Sequence, residues 1–520
     1  MKYLISSFIN ISLIAIFILT GCDSSITQQD NAPPPTNQVP GKASVSKVAA
    51  ADTNLISGQY IVVFKDQANG LINENVAQQA LQRTQSVLET YNIKSDSVLY
   101  RYKYALKGFA AKLSPAQVKT LQNDPLIDHI SQARMYRLGV ESSGLPVPEA
   151  KTSTMLRAQT TPWGITRVGG AQNGVGKKAW IIDTGIDLNH PDLNVDVANS
   201  VSFIATESAD DQHGHGTHVA GIIAAKNNTR NVVGVAAGAT VVAIKVCTSA
   251  GCPSPALFNG IDYVSNKAAP QDIVNMSIWN TQGVDNDFDN AVLSAANNGV
   301  RLALIAGNAG ANANNYSPGR TNHANIWTVS AFNDQDVFAS FSNYGNPPIE
   351  YGGPGVDVPS LWKNGGTNTI SGTSMAAPHI AGLLLTVPND ISIDGYVSGD
   401  PDGTPDQIVT SKLPSPTLQH SVDNNSPKLT WNSISGADDY KLYRKFENGS
   451  WVLVSTTTGT SYTDTPIYNP NLQTAGSPPF DFEDFYTYKV YAHTNSGAAS
   501  ETSNYRYFIY PSCSGPGCGS

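Results

Sequence analysis

The chain has 520 residues, of which 40% are hydrophobic and only 14% are charged, and its formal net charge is −9. This length allows roughly two to four domains, and the low charge content favours a loop-rich exported protein that contains β-structure. The isoelectric point near 5.4 argues against a nucleic-acid partner, because nucleic-acid-binding proteins normally carry a basic stripe.

Residues 1–21 are typical of an export signal. A lysine precedes a mostly apolar run that ends near Leu19, and this run is shorter than the roughly 20 residues of a membrane-spanning helix. The following "LTGC" resembles the lipobox of bacterial lipoproteins, which implies that Cys22 carries lipid. An ordinary signal peptide with an incidental cysteine is the alternative. Residues 22–54 are rich in Ser, Thr, Gln, Asn and Pro and are predicted to be a tether without packed structure.

The cysteine count supports this interpretation. Five cysteines leave one without a partner in an exported chain. If Cys22 carries lipid, the other four form two pairs with C-x4-C spacing, Cys247 with Cys252 and Cys513 with Cys518. Each pair predicts a small disulfide loop in an oxidising compartment. Metal binding is the less favoured alternative, because no histidine or further cysteine accompanies either pair.

Residues 55–140 are predicted to form a compact α+β unit. The pattern gives a strand at 59–64, a helix at 73–92, a strand pair at 98–113, a helix at 114–124 and a last strand in "IDHISQARMYR". This βαββαβ order is the ferredoxin-like motif.

Residues 155–412 predict an α/β domain with a doubly wound, mainly parallel sheet. The strands at 178–183, 241–246, 272–278 and 301–307 are near-continuous apolar runs, as expected of strands that are buried on both faces. Helical segments separate them. Sheets of this kind place functional sites at the carboxyl ends of their strands.

In residues 420–510, apolar and polar side chains alternate with period two, and turn residues occur at intervals. This pattern predicts an antiparallel β-sandwich. This segment resembles a fibronectin type III domain, with Trp431 early, the strand "GADDYKLYR", and "YTYKVYA" with Tyr486 placed like a tyrosine corner. Residues 511–520 are predicted to be a tail.

Three segments supply an aspartate, a histidine and a serine in chain order. Asp183 ends the strand in "IIDTGID", His215 opens a helix in "HGHGTHVAG", and Ser374 begins the helix in "SGTSMAAPH". A serine hydroxyl is a poor nucleophile unless a histidine accepts its proton and a carboxylate orients that histidine. Asn308 follows a strand in "AGN" and is suited to donate to an oxyanion. The alternative for Ser374 is a plain helix cap.

The motifs "DTGID", "HGTHVAG", "AGN" and "GTSMAAPHIAG", in this order, resemble those of the subtilisin-like serine proteases (subtilases), nearest to the proteinase K branch. The resemblance implies that Asp183 orients the general base His215. It also implies that Ser374 forms an acyl-enzyme while Asn308 stabilises the oxyanion. No cofactor is implied for catalysis. The family often carries structural calcium, but this sequence names no metal ligands.

The same resemblance makes residues 55–140 an inhibitory propeptide, removed by self-cleavage between about Glu141 and Gln159. We expect a monomeric endopeptidase that is secreted or held at the bacterial cell envelope through lipid on Cys22. Its expected partners are protein or peptide substrates, its own propeptide and the membrane, and no nucleic acid.

Substrate-binding residues are implied around the cleft, namely Gly251, Ser277, Ile278, Trp279, Ala306 and Gly307. The family usually has glycine in place of Trp279, so we expect the indole to narrow or reshape the primary specificity pocket. On the opposite rim, the edge strand in "SAGCP" is expected to pair with an extended substrate.

Three alternative functions are a metallo-hydrolase, an α/β-hydrolase and a binding protein. The spacing H-x-H-x-x-H of His213, His215 and His218 is that of some metallo-hydrolases, but this alternative leaves Ser374 unexplained. We expect His218 and His379 to be structural and His213 to lie in a loop. An α/β-hydrolase is excluded by the order of the motifs. The third alternative is a binding or adhesion protein whose protease fold is inert.

The segment "DPDGTPD" at residues 400–406 carries several carboxylates but departs from the spacing of a calcium loop. We instead expect Thr404 and Gln407 to form a capping box for a helix through "QIVTSKL".

Overall fold

A computed structural model describes most of the chain from residue 54 onward. The described ranges are 54–65, 74–140, 158–388, 391–411, 416–423, 426–434, 437–446, 450–464, 485–493, 500 and 503–508. The predictions for Cys22, for Cys513 and Cys518, for the side chain of Tyr486 and for the signal, tether and tail lie outside the described residues. Of the helices within these ranges, none is both long and apolar enough to cross a membrane.

The N-terminal unit is an antiparallel sheet with two helices. Its elements are β1 (Leu55–Phe64), α1 (Glu74–Thr90), β2 (Val98–Tyr102), β3 (Gly108–Lys112), α2 (Pro115–Leu121) and β4 (Ile127–Leu138). The strand order is β4-β1-β3-β2, with antiparallel pairing throughout, which is the predicted ferredoxin-like arrangement. Side chains such as Val62, Leu88 and Phe109 form its buried core. A capping box of Ser114 and Gln117 begins α2.

A long sheet with helices on both faces forms the centre of the molecule. The helices are α3 (Trp163–Arg167), α4 (His215–Ala224), α5 (Ser254–Lys267), α6 (Asn286–Asn297) and α7 (Thr373–Thr386). The strands are β5 (Gln172–Asn173), β6 (Lys178–Asp183), β7 (Asn194–Val195), β8 (Val201–Ser202), β9 (Ala236–Ala237), β10 (Thr240–Lys245), β11 (Cys252–Pro253), β12 (Ile273–Met276), β13 (Ile278–Trp279), β14 (Leu302–Ile305), β15 (Ile326–Phe332), β16 (Ile349–Pro354), β17 (Val358–Trp362), β18 (Gly366–Ile370), β19 (Ser392–Tyr396) and β20 (Gln407–Thr410).

The predicted doubly wound, mainly parallel sheet is confirmed. Its order is β19-β20-β16-β15-β14-β12-β6-β10-β7, with β8 also on β10. The ladders are parallel except between β19 and β20. Along β6, Ile181 packs into the core that contains α4 and α7. Its neighbour Ile182 packs into the opposite core with α5 and α6. The apolar runs are continuous because both faces of the sheet are covered.

The strand predicted at 272–278 is interrupted at Ser277. Residues Ile273–Met276 form β12 within the parallel sheet, whereas β13 turns away and pairs antiparallel with β4 of the N-terminal unit. The break therefore leaves the backbone of Ser277 at the edge of the sheet, where it faces the cleft described below.

The prediction of a helix through "QIVTSKL" is wrong, because Gln407–Thr410 is the strand β20. It lies parallel to β16 and antiparallel to β19. The side chains of Ile408 and Val409 are buried there. The backbone N–H of Thr404 donates to Oδ1 of Asp402 at 2.7 Å, and no helix begins there. Burial of two apolar side chains at the sheet edge outweighs the local capping preference.

The C-terminal part contains two antiparallel sheets. Its strands are β21 (Leu418–Asp423), β22 (Ser426–Trp431), β23 (Asp439–Phe446), β24 (Val452–Thr457), β25 (Ser461–Thr463), β26 (Phe485–His493) and β27 (Ser503–Phe508). The sheet orders are β21-β22-β25 and β24-β23-β26-β27. Side chains of both sheets, including Trp431, Tyr440 and Tyr488, share one buried core. The fibronectin type III assignment stays a prediction.

Candidate functional site

Asp183 and His215 lie in direct contact at the end of the central sheet. Asp183 is the last residue of β6, and His215 is the first residue of α4. Nδ1 of His215 lies 2.8 Å from Oδ1 and 2.9 Å from Oδ2 of Asp183. Both side chains are fully buried. The carboxylate thus holds the ring and favours a proton on Nδ1, which leaves Nε2 as the free nitrogen. Nε2 has no hydrogen-bond partner in the described part of the chain.

A buried carboxylate that the motifs did not indicate, Asp211, ties the strand end to the helix start. Oδ2 of Asp211 accepts from the backbone N–H and the hydroxyl of Thr217 on α4. Oδ1 accepts from the hydroxyl of Thr184, next to Asp183, at 2.9 Å. One side chain therefore sets the position of α4 against β6. In the sequence, Asp211 is visible only as an aspartate a few residues before a helix, and such a residue alone indicates no more than a helix cap.

Ser374 is the second residue of α7, and this helix packs against α4. Its Oγ donates to the backbone oxygen of Ser277 at 3.3 Å, and the hydroxyl of Ser277 donates back to the Ser374 carbonyl at 3.2 Å. The residue before the helix, Gly372, has φ of 148°. A Cβ there would lie 2.2 Å from the carbonyl oxygen of Gly139. Glycine is therefore required for this close approach.

The side chain of Asn308 is oriented by the residue before Ser374. The backbone N–H of Thr373 donates to Oδ1 of Asn308 at 3.0 Å and its hydroxyl donates at 2.6 Å. An N–H donor requires an oxygen acceptor, so these bonds fix which end of the amide is oxygen. Nδ2 therefore points away from Thr373, with no hydrogen-bond partner in the ranges described.

The loop that carries Asn308 is held by Asn343, a second residue that sequence analysis missed. Nδ2 of Asn343 donates to the backbone oxygen of Ala306 at 2.8 Å. The backbone N–H of Asn343 donates to the backbone oxygen of Gly307 at 2.9 Å. Both Ala306 and Gly307 were predicted to bind substrate. Oδ1 of Asn343 accepts from the backbone N–H of Ala309. These bonds fix the backbone on both sides of Asn308. Asn343 lies in "FASFSNYG" at residues 338–345, outside the four motifs that indicated the site.

Two further histidines of the motifs, His218 and His379, are buried and bind backbone carbonyl groups. Nε2 of His218 lies 3.1 Å from the Val358 carbonyl, and burial lowers the pKa of His218 to about 3. Nδ1 of His379 donates to the Met375 carbonyl, and burial lowers its pKa to about 4. His213 lies in the loop before α4, as predicted. Among the described residues, no three His, Cys, Asp or Glu side chains are grouped to hold one metal ion.

The last strand of the N-terminal unit lies in a cleft beside Ser374. On one side β4 pairs with β11, so that Tyr136 lies opposite Cys252, and on the other side it pairs with β13, so that Leu138 lies opposite Ile278. Cys252 forms the predicted disulfide with Cys247. Gly251, at the end of that loop, approaches the backbone of Tyr136. The N-terminal unit thus occupies the groove that was predicted to receive an extended peptide.

The comparison with known proteins decides the family. The model of the subtilase family matches residues 176–405, and the model of the peptidase inhibitor I9 matches residues 59–139. The "Subtilisin-like serine protease AsES" of Sarocladium strictum is 32% identical over 383 residues, which cover 70% of this chain and 91% of that protein. The chain belongs to the subtilase family.

Two further relatives of this subtilase are similar over comparable lengths. "Proteinase R" of Parengyodontium album is 32% identical over 357 residues, which cover 68% of this chain and 84% of that protein. "Alkaline serine exoprotease A" of Vibrio alginolyticus is 34% identical over 364 residues, and the match spans 63% of its length. Subtilases are serine proteases that need no catalytic cofactor, and the I9 match makes the N-terminal unit an inhibitory propeptide.

Proposed function

We propose that this subtilase is a serine endopeptidase made as a precursor that cuts itself, with Ser374 as nucleophile, His215 as general base and Asp183 as the carboxylate that orients it. One observation carries the proposal. The carbonyl oxygen of Gly139, in the propeptide tail, accepts from the backbone N–H of Ser374 at 3.0 Å. A peptide carbonyl is therefore held beside the candidate nucleophile. This oxygen and Nδ2 of Asn308 both lie next to Gly372.

The chemistry follows from the hydrogen bonds of the resting site. The Ser374 hydroxyl must leave the Ser277 carbonyl and donate to the unpaired Nε2 of His215 as Oγ attacks. The negative charge on the carbonyl oxygen is then stabilised by the Ser374 N–H and by Nδ2 of Asn308. The positive charge on the ring is stabilised by Asp183.

The predictions about location accompany this proposal. The signal pattern and the propeptide favour export, with lipid on Cys22 as the anchor and a monomeric enzyme as the product. Structural calcium stays a prediction without named ligands. In the loop at 400–406, Asp400 accepts from the backbone N–H of Asp406 and Asp402 accepts from that of Thr404.

Labelling with a fluorophosphonate tests the proposed function. Propeptide-free protein should react at one residue, and peptide mapping by mass spectrometry should place the label on Ser374. The Ser374→Ala chain serves as the control and should not be labelled. Absence of label from the propeptide-free protein would contradict the enzyme and favour a binding protein with an inert protease fold.

The interface between propeptide and enzyme predicts that inhibition depends on pH. Nε2 of His129 lies 2.6 Å from Asp287 at the start of α6, and Nδ1 lies 2.8 Å from Asp128. Arg134 pairs with Asp285 nearby. The hydrogen bond to Asp287 raises the pKa of His129 from 6.5 to about 9. The stabilising proton is thus fully bound below about pH 6.5 and is lost as the pH rises through about 9.

The cleaved propeptide should therefore dissociate faster at pH 9 than at pH 6.5. Because the imidazole is 40% exposed, solvent screens the pair and we expect a severalfold change. His129→Gln keeps a hydrogen-bond donor but does not titrate, so its dissociation rate should be flatter over this interval. His323→Gln, whose ring contacts its own loop, is the matched control. Dissociation rates can be followed by gel filtration at each pH, and a wild-type rate that falls with rising pH would refute the prediction.

A further inference from the structure

Gly139 is the residue that the cleft presents to Ser374. Its backbone N–H donates to the carbonyl of Ser277 at 3.1 Å, and its carbonyl oxygen accepts from the Ser374 N–H at 3.0 Å. These two bonds continue the ladder in which Leu138 lies opposite Ile278. The register therefore places the Gly139–Val140 bond at the nucleophile.

No side chain fits at this position of the bound tail. A Cβ built on Gly139 would lie 2.3 Å from Cδ1 of Ile305 and 2.9 Å from Oγ of Ser374. Real Cβ atoms essentially never approach another heavy atom within 3.0 Å. Ile305 is fully buried within the core that contains α4 and α7. Cδ1 is the terminal methyl of Ile305, and because this side chain has no exposed surface, turning the methyl aside displaces neighbouring core atoms.

The indole of Trp279 packs against the loop that follows β14, the strand that ends at Ile305. Its Cε3 lies 2.7 Å from the point where a Cβ on Gly307 would stand, so the ring lies directly against that backbone. The ring also packs on Tyr316, with 5.3 Å between centroids, and Trp279 is only 6% exposed. The indole thus spans from β13 to the loop that follows β14, the two segments that border Gly139.

The open space in the cleft lies beside the neighbours of Gly139. A cavity of about 430 Å³ is lined by Arg137, Leu138 and Val140 of the tail and, on the enzyme, by residues that include Gly251, Trp279 and Asn308, whereas Gly139 does not line it. Side chains are accommodated at the flanking positions of the tail. The position whose carbonyl is attacked is the one without room.

We infer that Ile305 and Trp279 fill the primary specificity pocket, so that this protease cuts peptide bonds that follow glycine, and first cuts its own Gly139–Val140 bond. The inference rests on the proposed function and names its substrate class. In a specificity pocket, one methylene group more or less on the substrate changes kcat/KM by about 10- to 200-fold. Substrates with leucine or phenylalanine at this position must displace several such groups.

Cleavage of this bond needs only water as a further reactant. Oγ of Ser374 bonds to the carbonyl carbon of Gly139, and its proton passes to Nε2 of His215. The bond to the nitrogen of Val140 then breaks, and the leaving amine takes that proton. Water hydrolyses the ester, which leaves a carboxylate on Gly139 and restores the hydroxyl. The cut thus falls just before the interval that the sequence predicts, Glu141 to Gln159.

Two measurements on the full-length protein test the inference. Mass spectrometry of the released propeptide should give a C-terminus at Gly139. The mature enzyme should then be assayed on peptides that differ only in the residue before the cut, which is glycine, alanine, leucine or phenylalanine. We expect kcat/KM for the glycine peptide to exceed that for leucine and phenylalanine by at least about 100-fold.

A double substitution, Ile305→Ala with Trp279→Gly, should reopen the pocket. The ratio of kcat/KM for phenylalanine over glycine should rise by at least about 10-fold, while the fluorophosphonate still labels Ser374. Ile326→Ala with Trp327→Gly removes the same side chains from the neighbouring strand β15 and should leave the ratio unchanged. If the pocket variant does not fold, Gly139→Leu in the otherwise native chain should slow self-cleavage by at least about 10-fold.

The outcomes separate the inference from the proposed function. A labelled enzyme that cuts after phenylalanine or leucine as well as after glycine overturns the inference alone. A propeptide whose C-terminus lies elsewhere does the same. Failure of Ser374 to accept the label overturns the proposed function itself.

Discussion

The Ser374→Ala chain should persist at full length, with its rate of self-cleavage lowered by about 10⁶-fold, the loss in kcat that removal of the nucleophile causes in subtilisin. The change removes only Oγ, whose hydrogen bond to Ser277 is 3.3 Å long. The backbone N–H that holds the Gly139 carbonyl remains. Binding of the tail is therefore kept while bond formation to the carbonyl carbon is lost.

The measurement is the first-order conversion of the full-length chain, followed by gel electrophoresis and intact mass. An uncut precursor would be inactive on added peptides simply because its propeptide fills the cleft. Self-cleavage is therefore measured, with the chain as its own substrate. Ser371→Ala removes another hydroxyl from the same segment, one that bonds to Asp357, and should convert at the wild-type rate. Conversion of Ser374→Ala at a rate near that of the wild type would contradict the proposed nucleophile.

The motifs predicted the candidate site because they combine chemistry with backbone requirements. A helix entrance such as Gly372, where the carbonyl of Gly139 approaches to within contact distance, admits only glycine. The pattern of small residues around Ser374 is therefore visible in the sequence. Asp183 was likewise predictable, since it ends a strand that is apolar throughout and lies in a parallel sheet.

The residues that position the site could not be predicted in this way. Asp211 and Asn343 act through hydrogen bonds to segments distant in sequence, and a polar residue in a loop has many ordinary explanations. Ile305 is a sharper case. An isoleucine on a buried strand is expected to be core, and only its distance from Gly139 distinguishes it from its neighbours. Trp279 was noticed because its size departs from the family pattern.

Tertiary pairing decided the elements that the sequence misplaced. The chain at Ser277 leaves the parallel sheet because β13 finds its partner in β4, more than a hundred residues earlier. Residues Gln407–Thr410 form a strand because β16 and β19 flank them. In both places the local pattern is compatible with the wrong element, and the partner that decides lies far away in sequence.

Asp183→Asn should lower the rate of self-cleavage by about 10⁴-fold at neutral pH, the loss known for the equivalent change in a serine protease triad. Oδ1 of Asp183 accepts from the backbone N–H of Thr184 at 2.7 Å. In the variant this N–H would retain the amide oxygen and turn the NH₂ group toward Nδ1 of His215. The ring would then carry its proton on Nε2, which could no longer accept the proton of Ser374.

The variant should still fold and cut itself slowly, so the three chains should rank as wild type, Asp183→Asn and Ser374→Ala in decreasing rate. Asp187→Asn is the matched control. The backbone N–H of Asp187 donates to the hydroxyl of Thr217 on α4, and its carboxylate accepts from the backbone N–H groups of Asn189 and Gly365. Time courses over hours to days resolve the slow chain. Since the substitution preserves shape and acts only through the tautomer of His215, an Asp183→Asn rate equal to that of the control would mean that this carboxylate does not orient the base.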